Sequence, residues 1–131
     1  MCSSDLPILV TGASGFVGER IVRRLAAAGG RVVGTYFSHP LEIPGAELVA
    51  IDWADLRAAE KLIRAASPGA VLHCAARTDV AHCERDPDAA QRDNVVASRS
   101  LATACSKWLM DTPVIALSTD LVFDEIGRAH V

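Results

Sequence analysis

At 131 residues, with 50% apolar and 22% charged side chains, the chain has the composition of one ordinary globular domain with enough apolar matter for a single core. A formal net charge of -3 with scattered basic residues offers no surface for phosphate backbones or anionic lipid, which excludes nucleic acid as an expected partner. No apolar run approaches the ~20 residues of a membrane helix, the N-terminus lacks a signal-peptide layout, and the cysteines are irregularly spaced, so the expectation is a cytoplasmic protein with reduced thiols and no membrane contact.

Pro7-Ile8-Leu9-Val10 is a short apolar run ending at Thr11-Gly12, the pattern of a buried strand that feeds a turn. From Phe16 to Ala28 apolar Val17, Ile21, Val22 and Leu25 recur at helical steps, and Gly29-Gly30 stops them. Arg31 to Phe37 is rich in strand formers and gives way to the polar Ser38-His39-Pro40. Glu47 to Ile51 reads as strand three. Asp55 then caps a helix that carries Leu56, Ala59, Leu62, Ile63 and Ala66 on one side and ends at Ser67-Pro68-Gly69. Ala70 to His73 is the fourth strand. Asp86 and Pro87 cap and open a long helix running to about Trp108, Thr112-Pro113 breaks it, and Val114 to Leu117 is the fifth strand. Apolar strands alternating with helices demand a parallel sheet covered on both faces. The expected fold is therefore α/β: a Rossmann-type doubly wound parallel sheet ordered 3-2-1-4-5, truncated before any substrate-binding part.

The two ends differ from the rest. Cys2-Ser3-Ser4-Asp5 can be encoded TGC TCT TCC GAT, whose reverse complement ATC GGA AGA GCA encodes Ile126-Gly127-Arg128-Ala129, and a GTG start at Met1 becomes CAC for His130. This DNA resembles a common sequencing adapter. Residues 1-6 and 126-131 are therefore expected to be translated adapter, leaving an incomplete nucleotide-binding domain over residues 7-125.

The stretch TGASGFVG joins the first strand to the first helix, with glycines at Gly12, Gly15 and Gly18. A tight turn needs positive φ, a diphosphate needs backbone with no Cβ in the way, and the helix must pack close to the strand. Its first turn then offers N–H groups and partial positive charge to an anion, so Ser14, Phe16 and Val17 join the glycines as expected contacts of a dinucleotide. A P-loop is excluded because Gly18 is followed by Glu19-Arg20, and a nucleophile elbow because Ser14 is followed by Gly15-Phe16. The acidic residue that would hold a ribose 2′-hydroxyl is missing from Tyr36-Phe37-Ser38-His39. Ser38 and His39 could instead donate to a 2′-phosphate, which favours NADP over NAD.

Taken in order, these motifs resemble the extended branch of the short-chain dehydrogenase/reductase superfamily over Pro7 to Asp124. TGASGFVG resembles its TGxxGxxG loop, DWAD from Asp52 its adenine-side acidic motif, and HCAA from His73 the segment after strand four that lines the cofactor. NVVASRSLA from Asn94 resembles the NVxGTxxL helix, and STDLVFD from Ser118 resembles the STDYVFDG segment of dTDP-4-dehydrorhamnose reductases. The resemblance implies that Asp52 accepts from the adenine amino group, that Trp53, Cys74, Ala75, Ala76 and Ser118 flank the cofactor, and that Thr119 hydrogen-bonds the substrate carbonyl. For Asn94 it leaves open a place in the site or a mere interior helix position.

One departure bears on mechanism. The family completes its reaction with a Tyr-x-x-x-Lys pair, and the single tyrosine here, Tyr36, lies in strand two with nothing like that motif around it. The resemblance thus implies the cofactor-binding fragment of an NAD(P)H-dependent reductase that passes hydride to a 4-keto nucleotide-activated sugar, inactive by itself and, at full length, homodimeric. Two alternatives share the early motifs: a sugar-nucleotide epimerase or dehydratase, and a noncatalytic regulator like that of methionine adenosyltransferase. His73, Cys74, His82, Cys83 and Cys105 match no zinc spacing, so no metal is expected.

Overall fold

A computed structural model describes residues 6-75 and 84-117. In chain order it contains β1 (Ile8–Thr11), α1 (Phe16–Ala27), β2 (Val32–Tyr36), β3 (Glu47–Ala50), α2 (Leu56–Ala66), β4 (Ala70–His73), α3 (Pro87–Gln91), a π-helical turn (Arg92–Val96), α4 (Ala97–Trp108) and β5 (Val114–Ala116). The strands form one parallel sheet ordered β3-β2-β1-β4-β5, as the alternation of elements predicts. Register pairs Leu9 with Val33 on one side and with Val71 on the other, so β1 lies at the centre and Leu9 and Val10 are fully buried.

Because successive strand residues point to opposite faces, the sheet carries two cores. Val10 and Val32 pack with Ala13, Val22 and Ile43 under α1. Leu9, Val33 and Val71 pack with Ala59 and Ile63 of α2 and with Ala97, Leu101, Ala104 and Cys105 of α4. The winding reverses at β1, which neighbours β2 on one side and β4 on the other. In such a sheet a crevice opens beyond the carboxyl ends of the strands at the reversal, and that is where ligands bind.

Local chemistry explains the helix starts. The Asp55 side chain accepts from the backbone N–H of Arg57 and Ala58, and Asp86 accepts from that of Ala89, so both expected caps are in place. α1 differs: Gly15 precedes it with no side-chain cap, which leaves its first N–H groups without a side-chain partner at that position.

Two expectations are corrected. The helix from Pro87 to Trp108 is not uninterrupted: the Ala97 N–H reaches back to the Arg92 carbonyl, five residues away, in a wide π turn. Val17 does not belong to the buried stripe of α1 and is 46% exposed, because Gly18 and Val22 face the sheet instead. Trp108 ends α4 half exposed, covered by the Arg64 guanidinium 4.2 Å from its ring centre. Among the described residues no helix is long and apolar enough to cross a membrane.

Candidate cofactor-binding site

A cavity of about 270 Å3 opens at the carboxyl ends of β1, β2, β3 and β4, where the winding predicts a crevice. Its walls include Gly12, Ser14 and Gly15 of the glycine loop, Tyr36 and Phe37 at the end of β2, Asp52 and Trp53 after β3, and Cys74 and Ala75 after β4. Asp93 and Ala97, at the π turn and the start of α4, close the side opposite the loop.

The three loop glycines answer different demands. Gly12 has a φ of +71°, and a Cβ there would come within 2.8 Å of the Ala75 backbone. At Gly18 a Cβ would lie 2.0 Å from the Gly12 carbonyl oxygen, so α1 could not begin where it does. Both are required by the fold alone. At Gly15 an added Cβ meets only the Gly12 oxygen, at 3.3 Å, and otherwise projects into space beside the cavity. That smooth backbone, next to the uncapped start of α1, fits a diphosphate, for which helix N–H groups and the positive end of the helix dipole supply the complement.

Hydrogen bonds fix the walls. The Ala13 N–H donates to the Thr35 carbonyl at 2.8 Å and ties the loop to β2. The buried Thr11 hydroxyl accepts the N–H groups of Cys74 and Ala75, each at 3.0 Å, and lies 2.7 Å from His73 Nδ1. His73 Nε2 is 2.8 Å from the Ser98 hydroxyl on α4, so both ring nitrogens are engaged within the fold. Burial pushes the His73 pKa down from its ordinary value and those of Cys74 and Cys105 up. Trp53 is buried and donates its indole N–H to the Thr35 hydroxyl at 3.0 Å, so it belongs to the core and to the cavity wall together. Asp52 Oδ1 accepts the Ala54 N–H at 3.0 Å, and Oδ2 pairs with the Arg92 guanidinium.

The structure brings together Gly12, Ser14, Gly15, Asp52, Trp53, Cys74 and Ala75. The exposed side chains of Phe16 and Val17 do not line the cavity, which leaves their backbone as the part that could serve it. Ser38 and His39 bond to each other at 3.2 Å just beyond the lining residues. Asn94 is half-buried within the π turn. Ala76, Ser118, Thr119, His82 and Cys83 lie outside the described residues. Sequence reasoning missed Asp93, Ala97 and Arg92 as neighbours of the cleft, since a π turn has no periodic signature; Phe37 was read only as the last residue of a strand. Among the described residues no three His, Cys, Asp or Glu side chains are grouped to hold a metal ion.

Comparison with known proteins gives the family. The model of the RmlD substrate binding domain family matches residues 6–129, nearly the whole chain. The chain belongs to that family. It is an RmlD-like domain of the extended short-chain dehydrogenase/reductase type. The Haloferax volcanii protein named "Probable low-salt glycan biosynthesis reductase Agl14" is 38% identical over 88% of this chain and 37% of its own length. Methionine adenosyltransferase 2 subunit beta of Rattus norvegicus is 32% identical over 89% of this chain and 33% of its own. A solved structure described as a hypothetical dTDP-4-dehydrorhamnose reductase from Sulfolobus tokodaii is 33% identical, covers 91% of this chain and 41% of that one, and superposes with a TM-score of 0.76. The RmlD-like chain thus spans between a third and about two-fifths of the length of the proteins it matches.

Proposed function

We propose that this chain is the NAD(P)-binding portion of a sugar-nucleotide reductase of the dTDP-4-dehydrorhamnose reductase kind. The observation that carries the reading is Gly15: a cavity-lining backbone position where an added Cβ would meet only the Gly12 carbonyl oxygen, beside an uncapped helix start. The cofactor would supply the hydride. The chain's own residues would hold it: main-chain groups of Gly12 to Gly18 would take the pyrophosphate, Asp52 and Trp53 would border the adenosine end, and Cys74 and Ala75, which Ala76 follows in sequence, would form the wall toward the nicotinamide.

The Leu117 N–H donates to the His73 carbonyl at 3.1 Å, beside the end of β4, and in the sequence Leu117 is followed by Ser118 and Thr119. Thr119 is proposed to hydrogen-bond the ketone of a nucleotide-activated sugar and hold it for hydride delivery. Tyr36, the single tyrosine, ends β2 on the adenosine side of the cleft, away from Leu117. Binding without turnover is therefore expected of these 131 residues.

Fluorescence titration with NADPH tests the reading. The wild-type chain should bind it, and Gly15→Val should bind at least about tenfold more weakly while still melting cooperatively, its added side chain pressing on the Gly12 carbonyl oxygen 3.3 Å from the Cβ. Equal binding by both proteins refutes the assignment. NADPH should also bind more tightly than NADH, because no carboxylate at Tyr36 to His39 repels a 2′-phosphate and Ser38 and His39 can donate to it. Tighter NADH binding reverses that preference.

A further inference from the structure

The outer end of the cleft carries an arrangement that neither the glycine loop nor Thr119 requires. Arg92, the first residue of the π turn, reaches across to the end of β3, where its guanidinium pairs with Asp52. Asp52 is itself pinned through Oδ1 to the Ala54 N–H. The carboxylate is fixed by main chain, and it fixes the guanidinium in turn. On the far side the Arg92 Cζ stands over the ring of Phe37, 5.8 Å from its centre. Phe37 is 60% exposed although it is large, apolar and part of the cavity wall, and the Arg92 side chain is 47% exposed.

An aromatic ring of the cavity wall and a delocalised cation thus stand next to each other at the edge of the cleft. A planar heterocycle between them needs about 7 Å, two contacts of roughly 3.5 Å each, so the pair must part by only about 1 Å to admit one. A guanidinium is planar, delocalised and weakly hydrated, which suits it to one face of such a stack as phenyl suits the other. Charge decides against a phosphate as the occupant. Arg92 pairs with Asp52 and lies 3.9 Å from Asp93 Oδ1, one cation between two carboxylates, so an added anion would meet net repulsion. A neutral base meets none.

We infer that Phe37 and Arg92 form a clamp for the purine base of the dinucleotide, with the ring on one face and the guanidinium on the other, and that Asp52 is the positioning residue for Arg92. The inference rests on the dinucleotide reading of the cleft. It gives Asp52 a task beyond accepting from the adenine amino group, and it explains why a π turn interrupts the helix there: the wide turn carries Arg92 to Asp52 and Asp93 to the cavity wall.

The test is a fluorescence titration of the 131-residue chain with NADH and with reduced nicotinamide hypoxanthine dinucleotide, whose base lacks the amino group. Arg92→Gln, Arg92→Lys and Phe37→Leu should each weaken both ligands by about tenfold, the scale of one lost stacking face. Arg92→Lys keeps the charge and loses the plane, so it separates stacking from simple attraction. Asp52→Asn should weaken both ligands too, and combining it with Arg92→Gln should add less than twofold, the mark of a residue acting through its partner. The three positions changed are partly exposed or replaced conservatively, and thermal melting identifies any variant whose loss is structural. The clamp is overturned if Arg92→Gln and Phe37→Leu bind NADH within twofold of wild type while Gly15→Val does not bind; the dinucleotide reading then survives. It is also overturned if Asp52→Asn weakens NADH alone, which marks an edge hydrogen bond to the amino group. If Gly15→Val binds as well as wild type, the reading beneath the clamp fails instead.

Discussion

The hydroxyl of Thr11 has one proton and accepts two N–H groups, from Cys74 and Ala75, so its own proton can go only to His73 Nδ1. Nε2 must then carry the imidazole proton and donate it to Ser98. The network therefore requires neutral His73, and burial acts in the same direction by holding its pKa below 6.5. The folded chain binds fewer protons here than the unfolded chain does, so the contribution of His73 to stability is complete above pH 6.5 and is lost as pH falls below it toward the folded value. Melting temperature should fall between pH 6.5 and 5 more steeply for wild type than for His73→Asn; parallel curves would contradict the tautomer assignment. Thr11→Val strands two buried N–H groups and should cost about 3 kcal/mol by denaturant unfolding. The strand-ending His73 and the strand-ending Thr11 are both readable in sequence, but 62 residues separate them, and only the β1–β4 pairing brings them together.

Elements repeat the lesson with the caps and the π turn. Asp55 and Asp86 were legible because an N-cap is a local device, complete within three residues. Asp55→Ala should accordingly cost about 1 kcal/mol of stability by denaturant unfolding, since the exposed cap loses its bonds to the Arg57 and Ala58 N–H groups. The break after Gln91 was not legible. Its pattern Arg92-Asp93-Asn94-Val95-Val96 reads as ordinary helix, and only the tertiary pairing with Asp52 gives the extra residue a purpose. The same limit applies to Val17: an apolar residue in phase with Ile21 looks buried until Gly18 brings the helix onto the loop and turns Val17 outward.

At the scale of the molecule, sheet order followed from alternation alone, because parallel strands with right-handed crossovers leave few arrangements open to five apolar runs. The adenosine side of the site followed only in part. Asp52 and Trp53 announce themselves by motif, whereas Phe37 and the adjacent Arg92 and Asp93 reach the same mouth from two segments far apart in the chain. Among the described residues β5 pairs only with β4, and Val114, Ile115 and Leu117 are exposed although a parallel sheet is normally covered on both faces. The central claim is that the backbone between β1 and α1 cradles the pyrophosphate, and amide chemical-shift mapping by NMR on addition of NADPH addresses it residue by residue. The largest shifts should fall on the N–H groups of Gly12 to Gly18, with smaller ones at Phe37 and Asp52; shifts that leave those residues still and gather instead in the groove formed by Pro40, Leu41, Ile43 and Leu48 would contradict it.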